Sequence, residues 1–343
     1  MSAPSIPEPR PLPPAPALRW GLMAPGGIAG RFVDALHAHS PQRFVAVGSR
    51  SSERAERFAT EHGIERAYGS YEEVAAETRV DAVYIASPHS AHKDLALLAI
   101  TAGKHVLIEK PMAASAAEAQ VIGDAARAAG AIAMEAMWTR YLPQADVIRQ
   151  LLAAGEVGDV RFVSADFGFA APFDPAHRLF DPAQAGGALL DAGVYPISFA
   201  SSVLGTATSV TAVGGLALTG VDCDAALVMD HGGRYSTALT SITSSLPTRA
   251  TIMGSTGRID VDAPFYAPGG LTLTAGNSLG PKTQAAHWED RTYAQPYSAL
   301  HYQADALARY AAARRTESPI HTLDEVVAIL RTIDEARRQI GAR

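Results

Sequence analysis

The chain has a single cysteine, no surplus of basic residues and no long uncharged apolar run, and each shortage excludes a class of protein. Cys223 is alone among 343 residues, so a disulfide framework is excluded and a reducing compartment, the cytoplasm, is expected. A formal net charge of −6 argues against a nucleic-acid partner, because a nucleic-acid groove needs clustered basic residues. No run of about 18 uncharged apolar residues occurs, so the sequence predicts no membrane span.

Lysine is also scarce. The 29 basic residues comprise 25 arginines and four lysines, at positions 93, 104, 110 and 282. In a chain whose ordinary surface cation is arginine, each lysine is a somewhat better candidate than usual for a chemical role.

Length and apolar content predict two folded domains preceded by a flexible arm. At about 100–200 residues per domain the chain suggests two domains, and its 48% of apolar residues can build a core in each. Residues 1–17 hold seven of the 22 prolines, which predicts an extended, flexible arm. The arm is either a loose tail or a segment that wraps a neighbouring subunit.

Residues 18–138 alternate short apolar runs with helical stretches. Predicted strands cover 18–23, 44–48, 82–86, 105–108 and 131–134, with helices between them. Strands that alternate with helices indicate βαβ units and a parallel sheet. We therefore predict an α/β domain of the dinucleotide-binding Rossmann type over 18–138.

The pattern changes in residues 139–343. An alternating strand is predicted over 160–169. Further strand-like runs follow one another closely between 210 and about 273, and sequential strands this close are largely antiparallel, because parallel neighbours need a long crossover. Predicted helices cover 142–154, 186–204, 299–313 and 323–340. The sequence predicts an α+β domain with an open, mainly antiparallel sheet, whose last helix could pack back on the first domain.

A glycine-rich turn follows the first predicted strand. Residues 24–29, Ala-Pro-Gly-Gly-Ile-Ala, match the dinucleotide fingerprint G-x-G-x-x-G/A except that Ala24 replaces the first glycine. Gly26 lets the backbone approach a pyrophosphate bound at the helix N-terminus, and the small Ala29 lets helix and strand pack closely. An ordinary βα turn is the alternative. If the fingerprint is real, the tight turn has to tolerate the Cβ of Ala24.

The end of the second predicted strand indicates NADP rather than NAD. An NAD-specific site has an acidic residue near position 49 for the ribose 2′-hydroxyl, whereas this chain has Ser49 followed by Arg50 and Arg54. Guanidinium groups suit a 2′-phosphate, which they can bind with two hydrogen bonds. A solvated helix start is the alternative explanation for the two arginines.

Two further motifs carry chemistry. Residues 103–111, Gly-Lys-His-Val-Leu-Ile-Glu-Lys-Pro, place Lys110 beyond the carboxyl end of a strand, where open α/β sheets bind ligands, and Pro111 allows a cis bond there. Residues 186–196 contain Asp191 and Tyr195, four positions apart and so on one face of a helix, unless Pro196 disrupts it.

With these motifs the chain resembles the glucose–fructose oxidoreductase/inositol dehydrogenase (Gfo/Idh/MocA) family over residues 18–340. The resemblance is carried by residues 24–29, 87–92 (SPHSAH), 103–111, 135–143 (EAMWTRYLP) and 186–196. Tyr195 stands where many members have histidine. Together with residues 135–140 it is similar to the branch of dimeric dihydrodiol dehydrogenases and NADP-dependent D-xylose dehydrogenases.

The resemblance implies roles for individual residues. Lys110 would contact the nicotinamide ribose and the substrate hydroxyl, Tyr195 would exchange the proton, and Asp191 would orient substrate or lysine. A tyrosine pKa near 10 is high for a base, and an adjacent ammonium would lower it. The implied cofactor residues are Ala24, Gly26, Gly27, Ile28, Ser49, Arg50, Arg54, Ser87, His89, His92, Glu109 and Lys110. Trp138 and Phe167 would be apolar walls of the substrate pocket, and packing in the core is the alternative for both.

The implied function is hydride transfer between NADP(H) and a CH–OH or C=O carbon of a neutral sugar, polyol or cyclic diol. A keto-sugar reductase and a non-catalytic NAD(P)-binding regulator are the alternatives, although Lys110, Asp191 and Tyr195 together argue against a regulator. No metal is expected, since His89 and His92 lack a third ligand. The open sheet would form the interface of a homodimer or a higher homo-oligomer, and substrate determinants are expected at about 161–180 and 264–297.

Overall fold

The computed structural model describes residues 4–276 and 284–343; Lys282 and residues 1–3 of the predicted arm lie outside the described residues. The chain divides into two compact units. The first unit comprises Pro13–Arg140 and Gln295–Val327, and the second comprises Met1–Leu12, Tyr141–Ala294 and Ala328–Arg343. Residues 295–327 thus lie with the first unit, whereas the sequence-based division assigns them to the second domain.

The first unit contains a six-stranded parallel sheet with helices between its strands. The strands are β1 (Arg19–Met23), β2 (Arg43–Gly48), β3 (Arg66–Tyr68), β4 (Ala82–Ile85), β5 (His105–Ile108) and β6 (Ala133–Glu135). The helices are α1 (Gly27–His39), α2 (Ser52–His62), α3 (Tyr71–Ala76), α4 (His92–Thr101) and α5 (Ala116–Ala129). The predicted parallel Rossmann sheet is confirmed.

The strand order of this sheet is β3-β2-β1-β4-β5-β6. The order reverses between β1 and β4, and open α/β sheets bind ligands at the carboxyl ends of the strands beside such a switch point. Strand β3 and helix α3 were not predicted. Three strand residues at the sheet edge and a six-residue helix are too short for a periodic apolar pattern.

The second unit is built around an eight-stranded mixed sheet. Its elements are α6 (Pro143–Ala153), β7 (Val160–Gly168), a π-helical turn (Leu189–Gly193), α7 (Val194–Leu204), β8 (Ser209–Leu216), β9 (Asp222–Asp230), β10 (Tyr235–Ser241), β11 (Ala250–Gly254), β12 (Gly257–Val261), β13 (Gly270–Ala275) and β14 (Gln284–Glu289). The order is β14-β13-β12-β11-β7-β10-β9-β8. Strands β7 and β10 pair in parallel and the other described pairs are antiparallel, which confirms the mainly antiparallel prediction.

Two helices close the chain. Helix α8 (His301–Ala312) lies in the first unit, and α9 (Leu323–Ile340) begins there and continues into the second. The first turn of α9 is capped by a side chain: the Thr322 hydroxyl accepts the Glu325 N–H at 3.2 Å.

One described segment, Pro182–Leu204, is long and apolar enough by composition to cross a membrane, but 83% of its most apolar window is buried inside the protein. Its apolar side chains are covered by the second unit itself, and it also contains Asp191.

The described part of the arm has no helix or strand and forms hydrogen bonds with the body of the chain. In the second unit, Arg10 donates to the Asp146 carboxylate and Gln150 donates to the Glu8 carbonyl at 3.0 Å. In the first unit, Gln42 donates to the Pro16 carbonyl at 2.8 Å. These bonds give the extended segment defined contacts; its flexibility stays a prediction.

Candidate active site

The turn after β1 has an unusual backbone. Ala24 has a φ of +67°, in the left-handed region, and its N–H donates to the Gly48 carbonyl at 3.1 Å. The left-handed region is about 1–2 kcal/mol less favourable for a residue with a Cβ than for glycine, which explains why the fingerprint has glycine here. The structure thus shows the tight turn that the motif requires. Ala24 adopts this turn with a strained, left-handed backbone.

The start of α1 fits a pyrophosphate. Gly26 is its N-cap, no side chain caps the helix, and its first turn has no acidic residue. A Cβ built on Gly26 or Gly27 would meet no described protein atom within 4 Å, so packing does not require glycine at either position. Ile28 is half-buried beside them and Ala29 is fully buried. Uncapped N–H groups at an exposed helix N-terminus are suited to an anion.

The loop after β2 places the predicted 2′-phosphate residues at the surface. Ser49 is buried and its hydroxyl accepts the Ser51 N–H at 3.3 Å. Arg50 and Arg54 are exposed, and within the described ranges neither guanidinium belongs to an ion pair. Their charge is available to an anion beside the carboxyl end of β2.

The predicted histidines follow β4. His89 is nearly buried and His92 fully buried, with ring centroids 5.7 Å apart. The two nitrogens of His92 face the carbonyls of Ser87 and Pro111, each at 2.9 Å, so the ring joins the loops after β4 and β5. Burial lowers the pKa of His92 despite these carbonyls. With no exposed surface, His92 can influence a cofactor only through the loops that it joins.

Lys110 follows β5, as predicted, and its bond to Pro111 is cis. The Lys110 N–H donates to the carboxylate of Glu109 at 3.2 Å, and the Tyr84 hydroxyl donates to the same carboxylate. Burial raises the pKa of Glu109, while the Tyr84 hydrogen bond and the Lys110 charge oppose this rise. The backbone at Lys110 is therefore held by hydrogen bonds at the carboxyl end of β5, the strand next to β4.

Trp138 lies in a short 3₁₀ helix of the first unit and is almost fully buried. Its ring stacks on Tyr297 with centroids 6.1 Å apart and planes 13° apart, and the Arg31 guanidinium lies 4.2 Å from the Tyr297 centroid. Neither Tyr297 nor Arg31 was predicted, because no local pattern connects them with Trp138.

Asp191 and Tyr195 lie in the second unit, on the π-helical turn and at the start of α7. A proline ring inside an α-helix clashes with the carbonyl four residues earlier and removes an N–H. The wider π turn before Pro196 lets the helix continue past it, and such turns occur frequently at functional sites. Asp191 and Tyr195 are thus about one helical turn apart, as predicted, but in π rather than regular α geometry.

The Asp191 carboxylate has an arginine partner that sequence reasoning missed. The Arg178 guanidinium lies 2.7 Å from Asp191 Oδ1; the Asp191 side chain is 8% exposed and that of Arg178 48%. A nearby guanidinium favours the charged form of a buried carboxylate. Arg178 falls within 161–180, where substrate determinants were expected, but its partner was not predictable from spacing.

Three half-buried aromatic rings lie together in the second unit. Phe167 on β7 is 5.5 Å from Tyr195 and 4.6 Å from Tyr266 between ring centroids, and Tyr195 and Tyr266 are 5.1 Å apart. The predicted wall residue Phe167 therefore contacts the predicted proton donor. Tyr266 was missed, although it lies in the expected range 264–297.

The chain is similar to known proteins over nearly its whole length. The family model described as "oxidoreductase family, NAD-binding Rossmann fold" matches residues 18–137, and that of the GFO/IDH/MocA C-terminal domain matches residues 146–260. The trans-1,2-dihydrobenzene-1,2-diol dehydrogenase of Mus musculus is 36% identical over 330 residues, which cover 95% of this chain and 97% of the mouse protein.

Solved structures share the fold. A 3-ketoreductase from Actinomadura kijaniata, in complex with NADP, has a TM-score of 0.79 at 25% identity over 96% of this chain and 98% of that one. An NAD-binding oxidoreductase from Klebsiella pneumoniae has a TM-score of 0.84 at 21% identity, covering 95% and 97%.

Proposed function

The chain belongs to the Gfo/Idh/MocA family of NAD(P)-dependent oxidoreductases, and from this premise we propose that it transfers a hydride between NADP(H) and a CH–OH or C=O carbon of a cyclic diol, polyol or sugar. One observation carries the proposal. Lys110 follows β5, the neighbour of switch-point strand β4 in the first unit, in a chain that also has Asp191 and Tyr195 one helical turn apart. A dinucleotide-binding regulator needs none of these three side chains.

The first unit supplies the cofactor residues in this proposal. The α1 N-terminus with Gly26 and Gly27 binds the pyrophosphate, and Arg50 and Arg54 bind the 2′-phosphate, which favours NADP over NAD. Ser87, His89 and His92 shape the loop after β4, His92 through its bonds to two carbonyls. When bound, the nicotinamide supplies or accepts the hydride.

The protein's own task is to move the proton on the substrate oxygen. We assign this to the Lys110 ammonium and the Tyr195 phenol, since a cation near a phenol favours the phenolate and brings its pKa towards neutral pH. Asp191, paired with Arg178, orients the substrate hydroxyl or the lysine. In the reverse direction the same groups deliver the proton to a carbonyl oxygen, which is the keto-sugar reductase alternative.

The substrate of this proposal has an apolar ring face as well as hydroxyls. The rings of Phe167, Tyr195 and Tyr266 form a continuous, half-exposed aromatic surface within the second unit. Such a surface contacts a flat carbocycle or the face of a sugar. This supports a cyclic diol first and a neutral sugar second, with Trp138 as a further wall.

We also propose a homodimer that forms through the second-unit sheet. The apolar residues of its outward face, called the open face below, are between 42% and 67% exposed: Phe162, Val213, Val228, Tyr235 and Leu239. The strand register puts them on one side of the sheet, because paired residues of neighbouring strands share a face. Tyr235 pairs with Phe162, and both Leu239 and Val213 pair with Ala226. Val228 is two positions from Ala226 and Tyr235 four positions from Leu239, so all of them share that face. A contiguous apolar surface of this kind is typical of a protein interface.

The activity is tested by assaying the purified protein with NADP⁺ and a panel of cyclic diols, aldoses and inositols. Wild type is expected to form NADPH with at least one of them, and Lys110→Met is expected to lower kcat by about 100-fold or more, because proton transfer loses its cation. NADPH binding, measured by fluorescence titration, should survive. Lys93→Met removes a surface lysine as a matched control and should leave kcat unchanged. Wild type inactive on every panel substrate, or turnover that survives Lys110→Met, contradicts the proposal.

A further inference from the structure

The backbone directly after Lys110 is held by buried polar groups on both sides. The Met112 N–H donates to Glu135 Oε1 at 2.8 Å, and the Pro111 carbonyl faces His92 Nδ1 at 2.9 Å. Met112 and His92 are fully buried and Glu135 is 2% exposed. The two bonds hold the carbonyl and the N–H of one peptide unit, Pro111–Met112, which therefore cannot turn without breaking a buried hydrogen bond.

Glu135 is in turn held by a histidine from a distant part of the chain. The second carboxylate oxygen, Oε2, lies 2.7 Å from His321 Nε2, and His321 Nδ1 lies 3.3 Å from Glu325 Oε2. Arg140 lies 2.7 Å from the same Glu325 carboxylate. The His321 side chain is fully buried. Glu135 and Arg140 belong to the motif over residues 135–143, for which the proposed reaction has so far used only Trp138.

The charges of this cluster balance. Both imidazole nitrogens of His321 face carboxylate oxygens, so the ring donates to both only as the imidazolium. Burial and the Arg140 charge lower the pKa of His321, but the hydrogen bonds to Glu135 and Glu325 outweigh them and the pKa is raised. Two carboxylates then face one imidazolium and one guanidinium. Glu109 and His92 also interact electrostatically with Glu135.

We propose that Glu135 is a positioning residue for Lys110: it fixes the Met112 peptide, and the His321 imidazole fixes the Glu135 carboxylate. The inference rests on the proposed function, in which the Lys110 ammonium takes part in proton transfer. A misplacement of about 1 Å at a reacting group can cost about 100-fold in rate. Losing the carboxylate acceptor should therefore reduce turnover without removing any group that touches cofactor or substrate.

The test compares Glu135→Ala and Glu135→Gln with a matched control, Glu118→Ala. Glu118 Oε2 accepts the Ala114 N–H at 3.2 Å, the same kind of bond two residues further along this loop. At pH 8 we expect Glu135→Ala to lower kcat at least tenfold, with the KM for NADP⁺ within threefold of wild type. Glu135→Gln should keep kcat within threefold, since its amide oxygen can still accept the Met112 N–H. Glu118→Ala should have wild-type kcat.

A second readout follows Lys110 itself. The labelling rate of Lys110 by trinitrobenzenesulfonate, measured by peptide mass spectrometry, should change at least threefold in Glu135→Ala and stay constant in Glu118→Ala. If Glu135→Ala does not fold, Glu135→Asp replaces it, because the shorter side chain keeps the charge but withdraws the oxygen from Met112; the same losses are expected.

The proposal is overturned by wild-type kcat and labelling in the alanine or aspartate variant, by equal losses in Glu118→Ala, or by a glutamine variant as impaired as the alanine variant. A wild-type protein that turns over no substrate contradicts the proposed function instead, and the labelling rates then decide the role of Glu135.

Discussion

Single residues determine the conformation of the glycine-rich turn after β1 and the backbone strain in it. Ala24 has a left-handed backbone at a position where the dinucleotide fingerprint has glycine, and its N–H is held by the Gly48 carbonyl. The strain of about 1–2 kcal/mol that a Cβ meets in this region is present whether or not a cofactor is bound. The chain therefore has a local position where a smaller side chain should improve stability.

Ala24→Gly should raise the melting temperature by about 1–3 °C, since relief of the strain exceeds the conformational entropy cost of glycine, about 0.5–1 kcal/mol. Differential scanning calorimetry of the protein without cofactor measures the shift. Ala29→Gly is the matched control: it lies inside α1, where glycine costs about 1 kcal/mol, and should lower the melting temperature. A lower melting temperature for Ala24→Gly would contradict the assignment of strain.

Arg50 is expected to decide cofactor preference. Removing a charge-assisted hydrogen bond costs about 1.5–3 kcal/mol, so Arg50→Ala should raise the KM for NADP⁺ about tenfold or more, with little change for NAD⁺. Steady-state kinetics with both cofactors measures the ratio. Arg57→Ala, which removes an exposed arginine of α2 that pairs with Glu53, should leave both KM values unchanged. Equal effects of Arg50→Ala on the two cofactors would refute the 2′-phosphate assignment.

At the scale of elements, a buried ionic cluster connects β6, the 3₁₀ helix after it and the start of α9. Burial raises the pKa of Glu325, but the His321 hydrogen bond and the charges of Arg140 and His321 lower it to about 2. A carboxyl group whose folded pKa lies below its ordinary value stabilises the fold above that ordinary value. The contribution is lost as the pH falls from about 4.5 towards 2.

Glu325→Gln should therefore destabilise the protein at pH 7 by about 3 kcal/mol, because it leaves the Arg140 and His321 charges with fewer partners. The difference in thermal midpoint between wild type and variant should be constant between pH 7 and 5 and shrink below pH 4.5. Glu335→Gln, on the exposed face of α9, is the control and should cost far less. A difference that grows on acidification would show that Glu325 is not ionised in the folded state.

At the scale of the whole molecule, the open face of the second-unit sheet decides the oligomeric state that we propose. Leu239→Glu puts a charge in the middle of this face, and burying it in an interface without a partner is unfavourable. Light scattering after size exclusion should show a dimer for wild type and a monomer for Leu239→Glu. Val121→Glu, a similarly exposed apolar residue on α5, should remain dimeric. A monomeric wild type would refute the interface.

Much of the fold could be predicted because its signals are local. The parallel strands, the turn at residues 24–29 and the position of Lys110 follow from apolar periodicity and from residues within about ten positions of one another. Short elements gave no such signal: β3 and α3 were missed, and no individual strand was predicted at β14, which lies within the range 264–297 that was expected to hold substrate determinants. The π-helical turn was missed because its geometry depends on how the backbone accommodates Pro196.

What the sequence by itself determined is the class of chemistry: a dinucleotide turn, a lysine after a strand of the parallel sheet, and an aspartate and a tyrosine one helical turn apart. What only the tertiary structure decided is which side chains support these groups. His321 reaches Glu135 across 186 positions, and Tyr266 reaches Phe167 across 99. Contacts between residues so far apart form only when packing brings their elements together, and no local spacing encodes them.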